Sequence, residues 1–164
     1  MTQAFKTQMT KDLPGKKLVV VREFAAPVEL VWDAWTQPHL LDQWWAPRPW
    51  KAETKSMDFR PGGRWVYAMV GPDGTRMYAS IDYHTIVPRK YFSGKDGFCD
   101  EHGNPNTEMP SMDWHNTFQA TGTGTKVEVN ITFDKEDDLR KIIEMGFEEG
   151  FAMAHNNLDE LLAK

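Results

Sequence analysis

A single cysteine, Cys99, stands in 164 residues, which excludes an internal disulfide. A reducing, cytoplasmic setting is the expectation that follows. Positive charge is also in short supply. Nineteen Lys and Arg face 24 Asp and Glu, a formal net charge of −5, so no nucleic-acid surface built from clustered cations is expected. No apolar run approaches a membrane span, and Met1–Leu13 lacks the apolar centre of a secretory signal. No Walker loop, dinucleotide fingerprint or nucleophile elbow is present. Arg60-Pro61-Gly62-Gly63-Arg64 reads as a turn between strands, without the helix N-terminus that binds phosphate. HxxxH and CxxC spacings are absent too, and neither metal nor cofactor is expected.

What is plentiful is bulky apolar side chain: seven Trp, nine Phe and nine Met. Rings bury large areas and Met fills irregular gaps, so the mixture suits a roomy interior as well as a dense one. The length fits one domain.

Residues 1–15 are polar and end in Pro14-Gly15, which predicts a flexible N-terminal arm before a single domain over 16–164. Leu18–Phe24 is β-branched and reads as a strand. Pro27 suits a first helical turn, and Leu30, Val31, Ala34 and Trp35 recur at helical spacing. Thr36, as a cap before Pro38, predicts a second short helix carrying Leu41, Trp44 and Trp45. Strands follow at Glu53–Phe59, Arg64–Val70, Thr75–Val87 and Tyr91–Ser93, and a hairpin at Ser111–Ala120 and Lys126–Phe133. Gly94–Pro110 is long, polar and rich in Gly, Asn and Pro, and reads as a functional loop. Asp134 is a plausible cap for one last helix from Glu136 to Lys164, about 40 Å long at 1.5 Å per residue. The fold class is therefore α+β: a curved antiparallel sheet of about seven strands, two short helices and a long C-terminal helix.

Gly146, Gly150 and Ala154 stack along one strip of that helix. Glycine in a helix interior costs about 1 kcal/mol against alanine, so something must offset it. Close packing of aromatic rings would do so, and so would a void for a ligand. Trp65, Tyr67 and Met69 share one strand face, and an inward tyrosine hydroxyl needs a partner that a ligand can supply. Trp44, Trp45 and Trp50 would pack in the core or form a pocket mouth. His84 follows Asp82 by two residues and His115 follows Asp113 by two, so each pair shares a strand face. If those strands lay close, the four could bind a metal or carry acid/base chemistry; the alternative is a solvated surface. Cys99 has no base beside it in sequence that would make it a nucleophile.

Several ordered stretches together resemble the activator of heat-shock-protein ATPase-like (AHSA-type) family. They are Arg22–Pro27, Val31–Thr36 and Trp44-Trp45-Ala46-Pro47, then Met57–Trp65 and Gly71-Pro72-Asp73-Gly74. Phe98, Asp100-Glu101, Gly103-Asn104 and Met109-Pro110 follow, and Gly146-Phe147, Gly150 and Asn157–Leu162 close the series. The family lies in the SRPBCC (START-like, birch-pollen-allergen-like) superfamily. The resemblance implies a helix-grip fold: a strand, two short helices, six more strands and a long helix, with a hydrophobic cavity between sheet and helix. Relatives include carriers, cyclases, ring-hydroxylase subunits and co-chaperone domains, so the fold does not select an activity. The co-chaperones that name the family carry a further N-terminal domain, which residues 1–15 are too short to supply.

The leading expectation is a binding protein for a small apolar or amphipathic molecule. Trp44, Trp65, Tyr67, Met69, Trp114, Phe118, Phe147, Gly150, Phe151 and Ala154 would form its pocket, with Gly94–Pro110 as a lid. The first alternative is a cyclase-like or hydrolase-like enzyme in the same pocket, with His84 and His115 as its catalytic candidates. The second is a co-chaperone-type interaction module presenting the Trp44–Trp50 cluster. Neither nucleic acid nor membrane is expected as a partner; a homodimer is compatible with the sequence.

Overall fold

Period-two alternation in the sequence becomes one antiparallel sheet in the computed structural model, which describes residues 6–163. Its strands are β1 (Gln8–Asp12), β2 (Lys17–Phe24), β3 (Lys51–Met57), β4 (Arg64–Val70), β5 (Arg76–Val87), β6 (Tyr91–Cys99), β7 (Ser111–Ala120) and β8 (Thr125–Phe133). They lie in the order β1-β2-β8-β7-β6-β5-β4-β3. Along β8 burial alternates residue by residue, with Val127, Val129, Ile131 and Phe133 turned inward. Register carries the inner face across the sheet in rows. Trp65 of β4 meets Ile81, which meets Asp96, which meets Met112, which meets Phe133.

The helices are α1 (Val28–Thr36), α2 (Pro38–Trp44), α3 (Glu136–Glu144) and α4 (Phe147–Leu162). α1 packs on β7 and α4, α2 on β3 and α4, and α3 on β8. The core between sheet and helices is dominated by rings. Trp32 meets Phe59, Phe92 and Phe118 edge-on, and Trp35 meets Trp45, Phe118 and Phe151 the same way. Edge-to-face contacts suit the ring quadrupole and add to the area buried. The fold is the expected α+β helix-grip arrangement, with eight strands in place of about seven.

Four details depart from the sequence reading. Residues 8–12 of the expected arm form an edge strand, Met9 pairing with Val20 and Lys11 with Leu18; residues 1–5 lie outside those described. Gly94–Cys99, expected in the loop, continues β6. Gly94 makes room there: a Cβ on it would stand 2.8 Å from the Asp82 carbonyl oxygen. The single C-terminal helix is two, because Gly146 sits at φ 87°, a left-handed conformation that ends α3 before α4 restarts. The helix caps shift by one residue, to Gln37 and Lys135; the Thr36 hydroxyl instead donates back to the Trp32 carbonyl at 2.8 Å.

Candidate functional site

The break at Gly146 opens a space between the sheet and the α3–α4 corner. A pocket of about 340 Å³ lies there, bounded by β4, β5, β6 and β7 below and by α3, α4 and the chain after α2 above. Met77 and Met145, 42% and 45% exposed, stand at its rim. Deeper in, Trp45, Trp114 and Phe151 form a mutually contacting wall, with ring centroids 5.4–5.9 Å apart.

Tyr67, Met69, Trp114, Phe147, Gly150 and Phe151 of the expected set line this space. Trp44, Trp65, Phe118 and Ala154 do not. Trp44 is sealed beneath α1, its Nε1–H donating to the Ala34 carbonyl at 2.9 Å. Trp65 stacks on Tyr67 at 4.1 Å and donates to the Thr54 hydroxyl at 3.0 Å, so its neighbour's ring occupies the side facing the pocket. Phe118 is consumed by Phe92, Trp32 and Trp35 at the far end of the sheet. Ala154, one turn beyond Gly150, is 1% exposed in the core. Of the small-residue strip, Gly146 and Gly150 both line the pocket; a Cβ on Gly150 would touch the Pro47 ring at 3.5 Å.

The two catalytic candidates fall away from the pocket. β6 lies between β5 and β7, and Lys95 pairs with Asp82 on one side and Asp113 on the other. His84 is exposed, and His115 sits opposite to inward Trp114 and Asn116, hydrogen-bonded to the Tyr91 hydroxyl at 2.7 Å. The Asp/His cluster therefore does not assemble. The lid also lies elsewhere. Gly103 covers Arg64 and Val66 on the outer face, and its carbonyl accepts from Arg64 Nη1 at 2.9 Å. Lys55 Nζ donates to the Glu101 carbonyl on the same side. From the expected loop only Gly97 and Phe98, with Asp96 beside them, reach the pocket.

Asp96 is the functional group that the sequence reading missed. It is 9% exposed and lines the pocket, where no Lys, Arg or His stands with it. None of the ion pairs among the described residues includes it. Burial pushes its carboxyl up to about 7; the Trp114 side chain and the Gly97 backbone N–H pull weakly the other way. The Trp114 Nε1–H favours the anion from nearby without meeting any acceptor in hydrogen-bond geometry. Tyr67 is buried next to it and held well above its usual range, by burial first and by the Asp96 charge second. The Tyr67 hydroxyl accepts from Trp45 Nε1 at 3.0 Å, fixing the wall on that side.

A second buried polar cluster lies at the other end of α4. The Thr7 hydroxyl meets His155 Nδ1 at 3.0 Å, and Arg22, 1% exposed, donates to Thr7, Asn156 and Asp159. Burial pushes His155 down to about 3, so its ring is neutral, and Nε2 meets no partner among the described residues. This cluster ties the N-terminal residues to α4 and does not reach the pocket.

The family model described as "Activator of Hsp90 ATPase homolog 1-like protein" matches residues 25–163. The chain belongs to this family. Among solved structures, an Activator of Hsp90 ATPase homolog 1-like chain such as this one is similar to a Mycobacterium smegmatis protein at 35% identity and TM-score 0.88, covering 96% of each chain. An Arthrobacter aurescens protein aligns at 33% identity and TM-score 0.89, over 95% of this chain and 91% of that one. A Nitrosomonas europaea protein aligns at 29% and 0.79, over 91% and 95%. No curated protein matches this member of the family.

Proposed function

We propose that the chain is a binding protein for a small apolar or amphipathic molecule, held between the sheet and the α3–α4 corner. The observation that carries this reading is the pocket of about 340 Å³, walled by rings and methionines and open at its Met77–Met145 rim. That volume falls within the range of small-molecule sites, which are concave and mostly apolar with a few placed polar groups. Apolar burial, at roughly 25 cal/mol per Å² before association costs, supplies the affinity. Asp96 and the Trp114 N–H supply orientation. N-phenyl-1-naphthylamine, a neutral apolar fluorophore, tests the site. Its emission rises with the wild-type protein, and Gly150→Phe, which projects a ring from the floor, removes the rise while circular dichroism stays unchanged. Equal uptake by the variant contradicts this pocket.

An enzyme acting in the same space is the second reading, favoured by one observation: a carboxyl held near 7 inside a pocket is matched to general acid/base work at neutral pH. In that reading Asp96, rather than His84 or His115, exchanges the proton. The co-chaperone reading draws less support, because Trp44 and Trp45 are 1% and 7% exposed and offer a partner little surface.

A further inference from the structure

Two features of the pocket demand a ligand of one charge. The first is Asp96, whose carboxylate has no counter-cation among the described residues, although charged groups are seldom buried unpaired. The second is the ring set around it: Trp45, Tyr67, Trp114, Phe147 and Phe151. Aromatic faces carry negative quadrupole density and attract cations, most strongly where water is excluded. An anionic ligand would be repelled by Asp96. A neutral apolar ligand would strip the remaining water from the carboxylate and leave it unsatisfied. A cation answers both features at once.

We infer that the ligand is a small hydrophobic amine, its protonated nitrogen paired with the Asp96 carboxylate and its apolar body among the rings. This rests on the pocket being a ligand site, as proposed above. No covalent step is involved; the ammonium keeps its protons and donates to the carboxylate oxygens. The titratable groups that face Asp96 or line the pocket with it are Tyr67 on β4, Tyr78 and Tyr83 on β5 and Cys99 on β6; burial raises Tyr67, Tyr83 and Cys99, which are therefore uncharged at neutral pH. The stretches of α3, α4, β7 and the chain after α2 that line the pocket contribute no ionisable side chain. Asp96 is the one carboxyl lining the pocket among the described residues.

Isothermal titration of three matched probes decides the matter: 2-phenylethylamine, 2-phenylethanol and 3-phenylpropionate, against wild type and Asp96→Asn at pH 8. A charge-assisted hydrogen bond discriminates by about tenfold or more. Wild type is expected to bind the amine at least about tenfold more tightly than the alcohol, with the propionate weakest. Asp96→Asn is expected to lose that preference, binding the amine no more tightly than the alcohol. In wild type, amine affinity rises as pH passes upward through about 7, where Asp96 ionises. Amine and alcohol bound equally, a preference that survives in Asp96→Asn, or a flat pH profile overturns the inference. Alcohol binding without amine preference leaves the pocket reading standing. No binding of any probe, together with no N-phenyl-1-naphthylamine emission, overturns both.

Discussion

Trp45 Nε1 donates to the Tyr67 hydroxyl at 3.0 Å, joining the chain after α2 to the middle of β4. Both side chains are buried, at 7% and 3% exposure, so bulk solvent has little access to the bond. Tyr67→Phe leaves the indole N–H without an acceptor. An orphaned buried donor costs about 1–3 kcal/mol. Urea denaturation should show that loss in the midpoint with an unchanged slope.

Asp96 and His155 oppose each other in the pH dependence of stability. Burial raises the Asp96 carboxyl from its ordinary 3.8 to about 7, so the folded state binds the extra proton and stability falls as pH rises from about 4 to about 7. Burial lowers the His155 ring from its ordinary 6.5 to about 3, so the unfolded state binds the extra proton. Its contribution is fully present above about 6.5 and is lost as pH falls toward 3. Each is worth roughly 4–5 kcal/mol over its window, and between about pH 4 and 6.5 they largely cancel. Asp96→Asn removes one side of the balance. Its stability, followed by thermal or urea melts, should climb from pH 4 to 6.5 and exceed wild type above pH 7 by about 2–4 kcal/mol. A variant tracking wild type at every pH would contradict the burial of that carboxylate.

Much of this was readable beforehand, and the misses have physical causes. β7 and β8 announce themselves because inward and outward residues alternate, and a one-residue slip would turn a whole face to solvent; β4 is a short apolar run buried on both faces from Trp65 to Ala68. β6 hides because Gly94 and Gly97 look like loop residues, whereas Gly94 is small to let Asp82 and Ile81 approach. Phe92, Gly94, Asp96 and Phe98 stand two apart, and that spacing was the available signal that Asp96 points inward. The N-terminal strand carries no apolar alternation; its register comes from pairing with β2 and from Thr7 reaching Arg22 and His155. Trp65 was placed in the pocket by the strand face it shares with Tyr67 and Met69 and Ala154 by its helical spacing, but a shared face does not say which ring covers the other or where along the core the space lies.

Gly146 supplies the turn that opens the pocket. A Cβ there meets nothing within 4 Å, so Gly146→Ala is penalised by conformation alone, through the positive φ of 87°. The expected loss is about 1–2 kcal/mol. Equal stability of the variant in urea would mean that α3 and α4 can join without the left-handed residue.

The Arg22–Asp159 pair predicts an asymmetry. Arg22 is 1% exposed and Asp159 31%. Asp159→Ala strands a buried guanidinium, whereas Arg22→Met leaves a carboxylate that water can reach. The first substitution should cost more than the second, by about 1–2 kcal/mol on the scale of broken buried pairs. Matched denaturation curves for the two variants give the comparison.

The account turns on the pocket being where a small molecule sits, and methionine-methyl NMR reads this directly. Met69, Met77, Met112 and Met145 line the pocket, while Met153 is exposed elsewhere on α4. Titration with 2-phenylethanol or N-phenyl-1-naphthylamine should move the four lining methyl signals and leave Met153 in place. Shifts confined to Met153, or no shift at any of the four, would contradict it.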